Sequence, residues 1–76
     1  KMNRNRKEKI KTIYDELRRC LGELNEIHDE EEEYHDNIPE NLQGSERAEA
    51  SEEAIENLDN AAESISEACD YLEEII

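Results

Sequence analysis

Phenylalanine and tryptophan are absent from this 76-residue chain, and its only aromatics are Tyr14, Tyr34 and Tyr71. Without aromatic anchors the apolar content falls almost wholly to Ile, Leu and Ala, a composition that suits helix packing and argues against a sheet. One proline and two glycines leave room for very few breaks. Uncharged runs extend only a few residues, which excludes a transmembrane span and a secretory h-region. Two cysteines, Cys20 and Cys69, are too few to staple a secreted mini-domain. Both fall on apolar positions at helical spacing, so they are expected to be buried free thiols. Met2 reads as the natural start, with Lys1 an addition.

Positive charge is scarce beyond the first helix turns. The net charge is −14, and charged residues make up 42% of the chain. Residues 1–19 carry eight of the nine basic side chains and three acids, whereas residues 20–76 hold Arg47 against twenty acids. Direct nucleic-acid binding by the body of the protein is therefore not expected, because it needs cations that displace condensed counterions. Such a surface attracts basic protein surfaces instead.

What the chain does have is rhythm. Ile10, Ile13, Leu17, Cys20, Leu24, Ile27, Glu31 and Tyr34 are spaced alternately by three and four, a heptad seam. Tyr14, Leu21 and His28 follow one place behind, widening the seam into the stripe of a bundle helix. Asn5 with Glu8 resembles a capping box and places the helix start near residue 5. Gly22 sits inside this helix at a propensity cost of up to about 1 kcal/mol relative to Ala.

The break comes at residues 36–45. Pro39 biases Ile38 toward an extended backbone and ends the first helix by about residue 36. Ile38 and Leu42 read as an apolar plug over the end of the core, and Pro39 to Leu42 as a single helical turn. Ser45 offers a side-chain oxygen to the free amides of a second helix, whose first turn holds Glu46 and Glu49 where the macrodipole favours them. That helix carries Ala48, Ser51, Ile55, Leu58, Ala62, Ile65, Cys69, Leu72 and Ile76 at the same alternating spacing. Ala54, Ala61, Ala68 and Ile75 repeat every seven residues beside it.

These patterns predict an all-α fold: one domain, residues 1–76, forming an antiparallel two-helix hairpin with helices over about 5–36 and 46–76 and a loop over 37–45. Each helix spans roughly 45 Å at 1.5 Å per residue. Antiparallel pairing sets Arg4 to Lys11 beside Asp70, Glu73 and Glu74, which offsets macrodipole faults at both helix ends. Two helices alone bury little, so a homodimer forming a four-helix bundle is expected, with the alanine stripe inside the hairpin or at the dimer seam.

Chemistry-bearing constellations are few. His28, Glu31, Glu32 and His35 include a Glu-x-x-His pair and are the candidates for a metal site, although Glu32 points off the seam and no inward Glu is obvious in the second helix. The alternative is a set of polar residues at the wetter end of the hairpin. Asp29 to Glu33 lacks the spacing and central glycine of a calcium loop. Neither cysteine has a setting that activates a thiol, and no glycine-rich phosphate loop is present. The expectation is a protein without catalytic residues or a cofactor. The basic segment Lys1 to Lys9 reads either as a docking arm or as a solvated helix start.

The acidic faces carry most functional content. Glu46, Glu49, Glu52, Glu53, Glu56, Asp59, Glu63, Glu67 and Asp70, continued by Glu73 and Glu74, recur every three or four residues along the second helix. Such rows can imitate duplex phosphates, although any soluble helix needs a charged outside. The near absence of Lys and Arg among them favours partner binding, since a purely structural surface mixes signs.

The stretch Asp36-Asn37-Ile38-Pro39-Glu40-Asn41-Leu42-Gln43-Gly44-Ser45-Glu46-Arg47-Ala48-Glu49 and the Ala-rich heptads after it resemble short uncharacterised helical-hairpin proteins of Gram-positive bacteria and their phages. The resemblance implies a cytoplasmic, phage or prophage setting and no catalytic residues. Small acidic phage proteins look like inhibitors of host defence, anti-CRISPR proteins among them. The expected function is thus an acidic inhibitor or regulator that binds a basic, nucleic-acid-binding protein surface by DNA mimicry. The alternative is a structural oligomerisation module, and a third possibility is a carboxylate-histidine metal bundle.

Overall fold

Residues 2–76 are described by a computed structural model; Lys1 lies outside them. Two helices account for most of the chain, α1 (Arg4–Asp36) and α2 (Glu46–Glu73), with a single 3₁₀ turn at Glu40–Leu42 between them and no strand among the described residues. They fold back on each other as a rod 59 × 15 × 13 Å across its Cα atoms. No helix is long and apolar enough to cross a membrane.

α1 begins at Arg4, with its cap two residues earlier than the Asn5 capping box suggests. The cap is Asn3, in an extended conformation, whose Oδ1 accepts from the Arg6 amide at 2.8 Å. An asparagine serves at either position; the one whose backbone is extended becomes the cap. At the other end α1 closes without glycine. The Asn37 and Ile38 amides return to the last carbonyls, and Gln43 Nε2 donates to the carbonyls of Ile38 at 2.7 Å and His35 at 3.4 Å. α2 opens on Ser45, whose Oγ accepts from the Ala48 amide. It ends at Glu73, three residues short of the expected Ile76, because Glu74 to Ile76 turn off with tightened bonds to Tyr71 and Leu72.

The packing seam of α2 runs through the expected positions, with Ala48, Ser51 and Cys69 buried and Ile55, Leu58, Ala62, Ile65 and Leu72 half-buried. In α1 the structure selects one of two interleaved lines. Ile10, Leu17, Leu24 and Glu31 are shared, but the residues that complete the seam are Tyr14, Leu21, His28 and His35, all half-buried. Ile13 and Ile27, placed on the seam by the sequence pattern, are instead half exposed at its edge, and Cys20 there is half-buried. Both cysteines are free. Over the loop end Ile38 is buried, whereas Leu42 is 46% exposed, so the plug is one side chain rather than two.

Gly22 lies on the outer side of α1, and a Cβ built there meets no atom within 4 Å. Gly22→Ala is expected to stabilise the hairpin by about 0.5–1 kcal/mol through lower chain entropy and better helix propensity. Urea unfolding followed at 222 nm checks this; an unchanged or lower midpoint would show that the glycine has a packing role.

Candidate functional site

The two edges of the hairpin differ sharply. Along one, α2 reaches across to the α1 seam with carboxylates. His28 Nε2 lies 2.9 Å from Asp59 Oδ1 and 4.0 Å from Glu32 Oε2, while its Nδ1 lies 3.2 Å from Asp29 Oδ1. One heptad on, His35 Nε2 lies 3.3 Å from Glu52 Oε1. Both Nε2 atoms are buried without an aligned hydrogen bond, and each contact is an ion pair only when its imidazole is protonated. Glu73 plays the matching part beside Tyr14, whose hydroxyl is pushed above its ordinary range first by partial burial and then by that carboxylate.

Between the two histidines Ser51 Oγ donates to Glu31 Oε2 at 2.6 Å. The buried serine explains how an acid occupies a seam position: the carboxylate meets a hydroxyl from the opposite helix.

This geometry revises the expectations at two points. Asp59 and Glu52, assigned to an outward row, lean back onto histidines, so α2 does supply carboxylates to the α1 seam. The candidates His28, Glu31, Glu32 and His35 do not converge on one point, because Glu31 is engaged by Ser51 and His35 sits a heptad away beside Glu52. A ligand-like cluster does form from His28, Glu32 and Asp29, the last of which the sequence pattern did not single out. With Asp59 from α2, carboxylates lie at both ring nitrogens of His28: Asp29 at one, Glu32 and Asp59 at the other.

The remaining carboxylates of the row, Glu46, Glu49, Glu53, Glu56, Glu63, Glu67 and Asp70, are exposed and face no cation within ion-pair distance among the described residues. They rise through the length of α2 on its outer side. The basic residues Arg4, Arg6, Lys7 and Lys9 are likewise exposed at the start of α1, and the Lys1 part of that segment lies outside the described residues.

His28 makes stability depend on pH. The Asp29 hydrogen bond raises its pKa above the ordinary 6.5 most; partial burial opposes this, and Asp59 and Glu32 add to the rise. A raised folded-state value means that the stabilisation is complete below about 6.5 and fades as pH climbs through the folded value. The melting temperature is therefore expected to rise on going from pH 8 to pH 6 more steeply in the native protein than in His28→Gln. Parallel Tm curves for the two would refute the assignment.

No family model, no curated protein and no solved structure matches the chain.

Proposed function

We propose that this protein acts by binding another protein, presenting the acidic side of α2 to a basic surface that otherwise holds nucleic acid. The observation that carries this is the segregation of charge: α2 bears ten carboxylates and one cation, Arg47, and seven of those carboxylates stand exposed without an ion-pair partner among the described residues. Unpaired rows of this kind raise the local negative potential along a rod, and a basic channel gains from them the same release of counterions that a duplex brings. No reaction is assigned to the chain and no cofactor is required. The setting that suits the function is cytoplasmic, and an anti-CRISPR-like inhibitor of a phage or prophage is the form that the loop resemblance favours. Nucleic acid itself is not a ligand in this proposal.

The test replaces exposed carboxylates that make no side-chain hydrogen bond or ion pair among the described residues, so that the fold is left alone: Glu53→Gln, Glu56→Gln, Glu63→Gln and Glu67→Gln combined. The immobilised native protein is expected to retain a nucleic-acid-binding protein from bacterial lysate, and to release it in roughly 0.5 M salt or in excess duplex DNA. The neutralised variant should retain about tenfold less. Equal retention by both, or retention that duplex DNA does not disturb, would refute the proposal.

A second function, an assembly module with no separate target, is favoured by one observation, the exposed isoleucines of the other edge.

A further inference from the structure

We infer that the other edge of the hairpin is a self-association surface, on which a second copy packs about a two-fold axis perpendicular to the helices and passing near Cys20 and Ala61. The loop end of each copy then lies on the terminal end of its partner. This surface is independent of the acidic side of α2, and its test can fail without touching the function proposed above.

The edge is defined by Tyr34 and Arg47. The Arg47 guanidinium donates to the Tyr34 hydroxyl and lies over the ring at 5.2 Å from its centroid, so these two residues share one side of the hairpin. Steps of seven from Tyr34 along α1 give Ile27, Cys20 and Ile13. The same steps from Arg47 along α2 give Ala54, Ala61, Ala68 and Ile75. In an antiparallel pair, lines on the same side stay on the same side along the whole rod, so these two form one continuous apolar strip. Ile13 is 53% exposed, Ile27 49% and Tyr34 38%.

Acid avoids the α2 side of this strip. Every one of the ten α2 carboxylates falls on other heptad positions, and the neighbouring line, Ala50, Asn57, Ser64 and Tyr71, is uncharged. A solvated helix face has no reason to exclude acid from one side in a protein this acidic.

The area is of the right size. A compact monomer of 8.9 kDa exposes about 4,800 Å² by the scaling of surface with mass, and this chain exposes 5941 Å². The excess, about 1,100 Å² per copy, comes from the thin rod shape and is of the order that each partner covers in an obligate homodimer.

The pattern is also self-complementary. The α1 line, extended to Arg6, is centred on Cys20, and the α2 line from Arg47 to Ile75 is centred on Ala61. The Tyr34–Arg47 register puts those two centres at the same level. A two-fold there sets Ile13 against the partner's Ile27, Arg6 against the partner's Tyr34, and alanine against alanine, which allows close approach of the α2 helices.

Electrostatics chooses this axis over one along the helices. The terminal half, residues 1–19 with 58–76, has eight cations and nine acids, whereas the loop half, residues 20–57, has one cation and fourteen acids. An axis along the helices stacks two halves of −13 on each other. The perpendicular axis places each of them on a half of −1, and runs the cationic start of α1 along the acidic end of the partner's α1.

Sedimentation equilibrium at about 0.1 mM is expected to give twice the chain mass, and Ile13→Lys with Ile27→Lys to give a helical monomer, while Asp59→Asn on the opposite edge remains dimeric. Orientation is read by disulfide capture with oxidised glutathione as electron acceptor. Ile13→Cys and Ile27→Cys are each made in a Cys20→Ser background. The two variants mixed should form a heterodimeric disulfide, and neither should link to itself. A monomeric native protein, self-linking of either variant, or no link in the mixture would overturn the inference.

Discussion

Ala48→Glu is expected to abolish the folded hairpin at neutral pH, leaving a far-ultraviolet circular dichroism spectrum with most of its helical signal lost. Ala48 has no exposed surface, although it lies in the first turn of α2 only three residues beyond its Ser45 cap. It packs where the end of α1, the loop and α2 meet, and of all the apolar side chains in the rod only Ile38 and Cys69 are comparably buried. A chain of this length has a total stability of about 4–11 kcal/mol. Burying a carboxylate without a partner costs several kcal/mol, and the site offers no cation inside the seam to offset it. The helix macrodipole favours acid in a first turn by only about 0.3–1 kcal/mol, too little to compensate. Ala50→Glu is the control. Ala50 is exposed, and the same added charge there should change stability by no more than about 0.5 kcal/mol. If Ala48→Glu melts within a few degrees of the native protein, the loop end does not hold the core assigned to it.

That contrast also shows how much of the fold was legible in the residues. The seam of α2 could be read without ambiguity, because between Ala48 and Leu72 only one line of residues keeps the alternating spacing and large apolar side chains. The loop could be read because Pro39 and Ser45 have strong local backbone and capping preferences. In α1 the sequence offered two lines, and hydropathy pointed to the wrong one: Ile27 is more apolar than His28, and Ile13 more so than Tyr14. What decides between them lies on the other helix. Asp59, Glu52 and Glu73 stand ready to meet His28, His35 and Tyr14, and a polar ring can be half-buried when its nitrogen or hydroxyl finds such a neighbour.

The candidate surface was legible in outline and not in detail for the same reason. Carboxylates every three or four residues mark the outside of a helix, but the spacing alone does not separate Glu52 and Asp59, which reach back to α1, from Glu53 and Glu56, which do not. That separation needs the side on which the two helices touch. A signal was present: His28 and His35 are seven apart in α1, and Asp59 and Glu52 are seven apart in α2, running the opposite way. Paired heptad spacings of opposite charge type on two antiparallel helices point to cross-helix contact. The Ser51–Glu31 bond left a similar trace, a serine and a glutamate each interrupting an otherwise apolar seam.

That bond supports the second large effect. Ser51→Ala removes the hydroxyl that meets Glu31 Oε2 while leaving the carboxylate half-buried. A hydrogen bond to a charged group is worth about 1.5–3 kcal/mol, and the partial exposure of Glu31, which lets water take over some of the lost contact, moves the expected loss toward the lower end of that range. Changing the acid as well reverses the sign. Glu31→Leu with Ser51→Ala leaves no unmet polar atom, continues the line of Leu17 and Leu24 by one heptad, and removes one negative charge from the most acidic third of the rod. The double variant is expected to exceed the native protein by about 1 kcal/mol or more, since apolar pairs in place of buried polar ones are commonly neutral to stabilising. Urea titrations of the native protein, both single variants and the double variant form a closed cycle, and the coupling between the two sites should be at least about 1 kcal/mol. Additive effects would mean that the serine and the glutamate stabilise the hairpin separately, and that the buried polar layer is not what sets the register of α1 on α2.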